Sequence, residues 1–380
     1  MELILKQYDI PLLRFSATND SSTPEIEVHW INEDQRHLLP LDMELSPEGI
    51  SRWMRRRTIP RNRAYVNRLL AKCGLNANRP MGILALCKGL SVDDSYWVVE
   101  EGFEGTFEKY NLFENRFSEV LALIAFTGYG SSNRSSLASS PEFTTNGMLP
   151  KCWRRISGKV TLYKGGTDGG YNTGAEPYCE YYAAQVAAVM GIDAIPYGLS
   201  QWKGRLCSTC ELFTDIDHAY MPIGNLVQRG GFDAVAAYYE KLGEPFQKAF
   251  RNMLVFDAVI CNTDRHYGNF GFMIDNKNNT IAAPAPLFDH GNSLFNQAGP
   301  EDYESPEAFQ QYIDTLVPCV YDDFFATAKR FMADENREQL RKLLGFRFKR
   351  HVRYNLPPKR LRLMGEQVRK RAMRLLENKD

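Results

Sequence analysis

The segment Cys261-Asn-Thr-Asp264-Arg-His266-Tyr-Gly-Asn269, followed twenty residues later by Phe288-Asp289-His290-Gly291, decides how the chain is read. Asp264 and Asn269 stand five positions apart, the offset used where a carboxylate orients or deprotonates an acceptor hydroxyl and an amide oxygen ligates Mg²⁺. Asp289, in a D-x-G sequence, supplies a second hard oxygen ligand. Phosphoryl transfer needs such a set because a triphosphate and its transition state are strongly anionic: oxygen ligands hold the metal while a separate carboxylate addresses the nucleophile. The same offset also arises in turns and helix caps, so the segment gains weight only from its surroundings.

Upstream, Lys159-Val-Thr-Leu-Tyr-Lys164 alternates with the period of a strand and sets Val160, Leu162 and Lys164 on one face. Lys164 is expected to meet the α/β-phosphates, with Glu180, on a helix predicted over Tyr178–Met190 and stopping at Gly191, holding it by an ion pair. A lysine that snorkels and a first-turn carboxylate favoured by the helix dipole are the plain alternatives. The glycines Gly165, Gly166, Gly169, Gly170 and Gly174 predict a mobile loop between them. A strand pair through Leu206–Phe213 follows, helices dominate from Phe232, and a hairpin is expected to turn at Asn276-Lys-Asn-Asn279. This order predicts an α+β, two-lobed protein-kinase-like fold, with a small β-rich lobe and a larger helical lobe. Asp264 is assigned as base, His266 as an orienting hydrogen-bond residue and His290 as structural. Neither G-x-G-x-x-G nor G-x-x-x-x-G-K-[ST] is present, which disfavours a standard protein kinase and a P-loop enzyme.

The remaining sequence bounds the assignment. With 380 residues, 44% apolar and 24% charged, the chain is a folded globular protein of one or two domains. Residues 1–130 read as an N-terminal mixed α/β extension, with strands over Leu3–Ser16 and Glu25–Trp30 and a helical stretch over Pro47–Leu70 interrupted at Pro60. Its cluster Arg52, Arg55, Arg56, Arg57, Arg61 and Arg63 is read as a solvated helix face; no helix-turn-helix or aromatic interleaving supports direct nucleic-acid binding. Residues 130–140, with six serines, are expected to connect domains and give the division 1–130, 131–213 and 214–380. Residues 336–380 carry 15 Lys/Arg against 4 Asp/Glu, +11 against −11 for the rest. Leu361, Met364, Val368, Ala372 and Leu375 there fall at helical spacing, predicting a helix that docks by its apolar stripe while its basic face pairs within the molecule. Eight unpatterned cysteines point to free thiols and a cytoplasmic location; the lone Cys207-x-x-Cys210 lacks a second pair for zinc. The N-terminus lacks the pattern of a signal peptide, and the longest apolar run, Val120–Phe126, is too short to span a bilayer.

Asn262-Thr-Asp-Arg-His-Tyr-Gly-Asn269, Glu211-Leu-Phe213 and Phe288-Asp289 together resemble the HipA-type serine/threonine kinases, over roughly residues 141–330. The resemblance implies a protein-kinase-like fold related to lipid kinases, Asp264 as catalytic base, Asn269 and Asp289 as Mg²⁺ ligands and Lys164 as the ATP lysine. It also implies Glu211 and Phe213 in the hinge that meets adenine. Thr144-Thr-Asn-Gly147-Met-Leu-Pro-Lys151 resembles the family's nucleotide loop, Ser-x-x-Gly-x-x-x-Lys, whose serine is autophosphorylated; threonine stands there in this chain. Gly147 would allow close backbone approach to phosphates. Residues 1–130 show no strand-rich subdomain of the kind that, in toxin members, helps contact a DNA-binding antitoxin. The expectation is therefore a kinase using ATP and Mg²⁺, acting on Ser/Thr of a protein substrate and on itself near Thr144 or Thr145, with an antitoxin-like partner and no membrane. A kinase for a lipid or small molecule, or a catalytically silent kinase-fold module in a regulatory complex, are the alternatives.

Overall fold

The computed structural model describes residues 1–18, 24–130 and 140–377; the connector expected over 130–140 falls almost wholly outside the described residues. Two compact units emerge. The first comprises Met1–Lys164, Glu211–Met221 and Met273–Ala282, the second Gly165–Cys210, Pro222–Phe272 and Ala283–Asp380.

In the first unit the predicted strand Leu3–Ser16 is a hairpin, β1 (Glu2–Gln7) and β2 (Ile10–Ala17), turning at Tyr8, whose φ is 49°. With β3 (Ile26–Ile31) and β4 (Tyr96–Glu100) it forms an antiparallel sheet ordered β3-β2-β1-β4. The extension thus contains the strand-rich sheet that its sequence did not reveal, because β4 joins from almost 90 residues away along the chain. Leu3, Leu5, Leu13 and Phe15 alternate onto one face and bury against Ile50, Trp53 and Met54 of α1 (Pro47–Arg56). Each such side chain contributes about 1.5–3 kcal/mol. Ser46 caps α1 by accepting the Gly49 N–H, and Pro47 occupies its first turn.

The arginine cluster is only partly solvated. Arg52, Arg55 and Arg61 are exposed, but Arg57 is buried and grips Asp94 through two bonds of 2.7 and 2.8 Å. Arg63 is buried as well, pairing with Glu142 at 2.5 Å and donating to the Glu142 and Lys151 carbonyls. The expected solvated face is corrected: two of its arginines are internal clasps, whose partners 37 and 79 residues away no local pattern exposes.

Beside Asp94, burial pushes the Asp93 carboxyl up to about 6. Its ionisation opposes folding: the destabilisation sets in above about pH 4, where the unfolded carboxylate ionises, and is complete above about pH 6. Asp93→Asn should leave stability unchanged near pH 4 and raise it by about 3 kcal/mol at pH 8. Denaturant melts at the two pH values check this, and an equal shift at both would discard titration as the cause.

β9 (His218–Pro222), β10 (Gly271–Asp275) and β11 (Thr280–Pro284) form a sheet ordered β11-β10-β9, with the β10–β11 turn at the predicted 276–279. The end residues of that turn, Asn276 and Asn279, are buried in the first unit, while Lys277 and Asn278 are exposed. Asn279 donates to the His37 and Leu39 carbonyls at 2.9 and 2.7 Å, and Gln7 donates to the Asn276 carbonyl at 2.8 Å. Two further hairpins, β5 (Lys151–Ile156) with β6 (Lys159–Gly165) and β7 (Gly198–Trp202) with β8 (Arg205–Glu211), complete the strands.

The second unit is mainly helical. The predicted helix at 178–190 is α2 (Glu176–Met190), which ends where Gly191, φ 75°, and Ile192 donate back to the Ala187 carbonyl. α3 (Gly231–Leu242) and α4 (Glu244–Ile260) follow, every α4 residue from Asn252 to Ile260 being buried. α5 (Phe324–Phe331) and α6 (Pro358–Leu376) pack beside α4. The predicted stripe Leu361, Met364, Val368, Ala372 and Leu375 is buried throughout. The basic residues of α6 mostly meet carbonyl oxygens rather than the acidic side chains expected: Lys359 that of Glu304, Arg360 those of Phe295 and Asn296, Arg369 that of Phe346. Among the described residues, the carboxylate paired with α6 is Glu366 of the helix itself.

The glycine-rich segment after Lys164 is anchored, not loose. Tyr171 donates its hydroxyl to Glu301 at 2.6 Å, and the Asn172 amide to the Gln297 carbonyl at 3.0 Å. A Cβ on Gly166 would lie 2.8 Å from the Gly174 Cα, so glycine here answers to backbone crowding. All eight cysteines are free, and among the described residues no helix is long and apolar enough to cross a membrane.

Candidate functional site

α4 delivers the decisive loop. Its last residues are apolar and buried, and Cys261 ends it in the left-handed region at φ 53°, turning the chain out of the helix. The Asn262 N–H returns to the Asp257 carbonyl at 3.1 Å, while its side chain donates to Asp257 Oδ1 and accepts the Asp264 N–H, both at 3.1 Å. The Asn269 amide reaches back to the Asp264 carbonyl at 3.1 Å, closing the five-residue loop on itself and leaving Oδ1 as the acceptor end of the amide. One oxygen of Asp264, Oδ2, accepts Asn292 Nδ2 at 2.8 Å. The carboxylate thereby has a fixed rotation and presents Oδ1. His266 is exposed, and its Nδ1 accepts the Gly268 N–H at 3.0 Å, which shapes the turn.

Arg265 clasps this arrangement. Fully buried, it meets Asp257 through two bonds, Nε to Oδ2 at 2.9 Å and Nη2 to Oδ1 at 3.0 Å. Burial alone would depress its pKa; the adjoining Asp257 carboxylate more than offsets this and holds it above the ordinary guanidinium value. Its remaining donors go to the Asn269 carbonyl at 3.1 Å, the Phe288 carbonyl at 2.5 Å and His290 Nδ1 at 3.0 Å. One side chain thus joins α4, the loop bearing Asp264 and Asn269, and the segment bearing Asp289.

Asp289 lies in the left-handed region at φ 55°, its N–H donating to the Tyr197 hydroxyl at 3.1 Å. The next N–H, that of His290, donates to Glu180 Oε2 at 2.7 Å, and His290 itself is buried against Phe256 and Tyr197. Glu180 is fully buried on α2. It ties α2 to the Asp289 segment. A Cβ on Gly291 would come within 3.2 Å of the Glu176 Cβ, so the D-x-G glycine is demanded by packing against α2. The second unit therefore gathers Glu180, Asp264, His266, Asn269 and Asp289.

The other expected residues belong to the first unit. Thr144 is buried and donates to the Leu90 carbonyl at 2.9 Å; Thr145 donates to the Pro141 carbonyl at 2.7 Å and accepts Trp153 Nε1 at 3.0 Å. Gly147 has φ 90°, and Lys151 folds over it, Nζ donating to the Asn146 carbonyl at 2.9 Å. Lys151 and Lys164 are direct cross-strand partners in the β5–β6 hairpin and both are buried. Glu211 pairs through its exposed carboxylate with Lys159 at 2.7 Å, and the Phe213 ring lies 5.5 Å from that of Tyr220.

A side chain at position 147 would be strained by the positive φ, and its Cβ would sit 2.2 Å from Lys151 Nζ. Gly147→Ala should therefore cost about 1–3 kcal/mol of stability and displace Lys151. We expect nucleotide affinity to fall about tenfold, equivalent to about 1.4 kcal/mol, measured by titration calorimetry. Native affinity in a correctly folded variant would remove this loop from the nucleotide site.

Sequence reasoning missed Asp257, Tyr197 and Asn292 and left Arg265 without a role. Asp257 and Arg265 are separated by two turns of chain, a spacing without meaning until Cys261 ends the helix; Tyr197 and Asn292 act through atoms distant in sequence.

No protein-family model and no curated protein matches the chain. Among solved structures, HipA in the Shewanella oneidensis MR-1 complex of the toxin–antitoxin proteins HipA and HipB with operator DNA is similar at 13% identity. That match covers 98% of this chain and 97% of that one, with a TM-score of 0.53. The Helicobacter pylori proinflammatory kinase CtkA matches at 16% identity over 61% of this chain and 90% of its own, with a TM-score of 0.48. The chain has the α+β, kinase-like fold of HipA across nearly its full length.

Proposed function

We propose that this protein is an ATP- and Mg²⁺-dependent serine/threonine protein kinase. The observation that carries the reading is the Arg265 clasp, which gathers a rotationally fixed carboxylate, Asp264, an amide oxygen, Asn269, and the Asp289 segment around one buried guanidinium. Asp264 is the base that receives the acceptor hydroxyl's proton. Asn269 and Asp289 would hold Mg²⁺; two hard oxygen donors suit an ion that keeps several waters and bridges phosphates. When bound, the metal supplies charge neutralisation for the phosphates. Lys164 and Lys151 supply positive charge to the nucleotide, Glu180 fixes the Asp289 segment, and Thr144 and Gly147 belong to the nucleotide loop. Glu211 and Phe213 form the hinge at adenine.

In this reading residues 1–130 are the N-terminal extension, 131–213 the nucleotide lobe and 214–380 the helical lobe. Autophosphorylation at Thr144 requires local opening, since its hydroxyl is buried and already donating. The complex of the Shewanella HipA with HipB and operator DNA suggests an antitoxin-like, DNA-binding partner here too, and eight free cysteines suit the cytoplasm.

The test is incubation of purified protein with Mg²⁺ and γ-labelled ATP, following label in protein and nucleotide turnover beside Asp289→Asn. Label lost in the variant supports the kinase. ATP binding without turnover points to a silent module or to a non-protein acceptor, and absence of ATP binding overturns the assignment.

A further inference from the structure

α6 does more than cover the apolar side of the second unit. Arg371 projects from it into the end of α4, where its Nε donates to the Ala258 carbonyl at 2.6 Å. It is buried, its guanidinium lying 4.5 Å from the Phe325 ring centroid and 5.4 Å from that of Phe324. Among the described residues no carboxylate lies within ion-pair distance of it. A buried charge without a counter-ion is costly, and burial depresses its pKa. What faces it is the C-terminal end of a 17-residue helix, whose unsatisfied carbonyls carry partial negative charge.

The carbonyls at this end are satisfied by dispersed donors. That of Asp257 accepts the Cys261 and Asn262 N–H groups, that of Ile260 accepts the Leu294 N–H at 2.7 Å, and that of Ala258 accepts Arg371. Those three N–H donors lie in the loop or within two residues of it or of Asn292. Arg371 is the donor contributed by the C-terminal helix, more than 100 residues on. It acts three residues before Cys261 leaves the helix and six before Asp264.

We propose that Arg371 is a positioning residue for the loop 262–269: by closing the Ala258 carbonyl it fixes the end of α4, and hence the placement of Asp264 and Asn269. The basic C-terminal segment thereby becomes part of the site's support. The effect on transfer rests on the kinase reading above, whereas the effect on loop order does not.

The experiment compares native protein, Arg371→Met and Arg371→Lys. In Arg371→Met, kcat for label transfer should fall about tenfold or more with KM for ATP within about twofold, since the chemistry is misaligned rather than the nucleotide released. Amides of residues 262–269 should exchange about tenfold faster, while those of β1–β4 keep native rates. Arg371→Lys, which keeps a cationic donor, should recover most of both effects. Unchanged loop exchange in folded Arg371→Met overturns the proposal, as does acceleration spread evenly through the second unit without rescue by lysine. Exchange is read without ATP, so it decides the proposal even where native protein shows no transfer and the kinase reading has failed.

Discussion

Asp264→Asn is expected to lower phosphoryl transfer about a thousandfold while leaving the melting temperature unchanged. The two expectations have separate causes. Stability is spared because the bond at this carboxylate is the one Oδ2 accepts from Asn292, and an amide oxygen accepts it equally well. Asp264 is also only half-buried, so no interior ion pair is lost. Activity falls because an amide cannot take the proton of the attacking hydroxyl, whatever its orientation. Asn292→Ala gives the complementary case: the base survives but is free to rotate, and a loss nearer tenfold is expected. Single-turnover transfer at saturating nucleotide and Mg²⁺ checks both. If Asp264→Asn retained more than about a tenth of the native rate, Asp264 would be an orienting group at most and the base would have to be sought elsewhere.

What the sequence disclosed and what it hid divide along a physical line. The apolar stripe of α6, the stop of α2 at Gly191 and the turn at 276–279 follow from neighbours within a few residues, and each stands where expected. The five-residue span from Asp264 to Asn269 is equally local, and the structure closes it with a single bond. The exceptions are long-range. Arg57 and Arg63 looked like part of a solvated face because Asp94 and Glu142 are remote in sequence. The run Gly165–Gly174 looked mobile by composition, yet Tyr171 and Asn172 anchor it to residues about 130 positions later. Lys151 and Lys164 become neighbours only through the β5–β6 register. Composition reports what a segment can do alone, whereas buried ion pairs and anchored loops depend on what folds back onto it.

Arg265→Met is expected to be the most damaging single change in the second unit, costing about 3–5 kcal/mol of stability together with nearly all transfer. Removing the guanidinium leaves the Asp257 carboxylate buried at the end of α4 with Asn262 as its remaining side-chain donor. It also leaves the carbonyls of Asn269 and Phe288 without their shared partner. These two losses are separable. In the double variant Asp257→Leu with Arg265→Met no charge is stranded, so stability should recover by about 1–3 kcal/mol over the single variant, since apolar replacement of a buried pair is often neutral. Transfer should not recover, because the double variant lacks the side chain that joins the Asn269 and Phe288 carbonyls. Denaturant unfolding of native, both single and the double proteins gives the coupling energy, and the transfer assay on the same samples gives the functional column of the cycle. Additive stabilities would show that the pair contributes no coupling. Recovery of transfer together with stability would show that the clasp only holds the fold, and the alignment of Asp264, Asn269 and Asp289 would then have to come from α4 and α2 through Asn262, Asn292 and Glu180 alone.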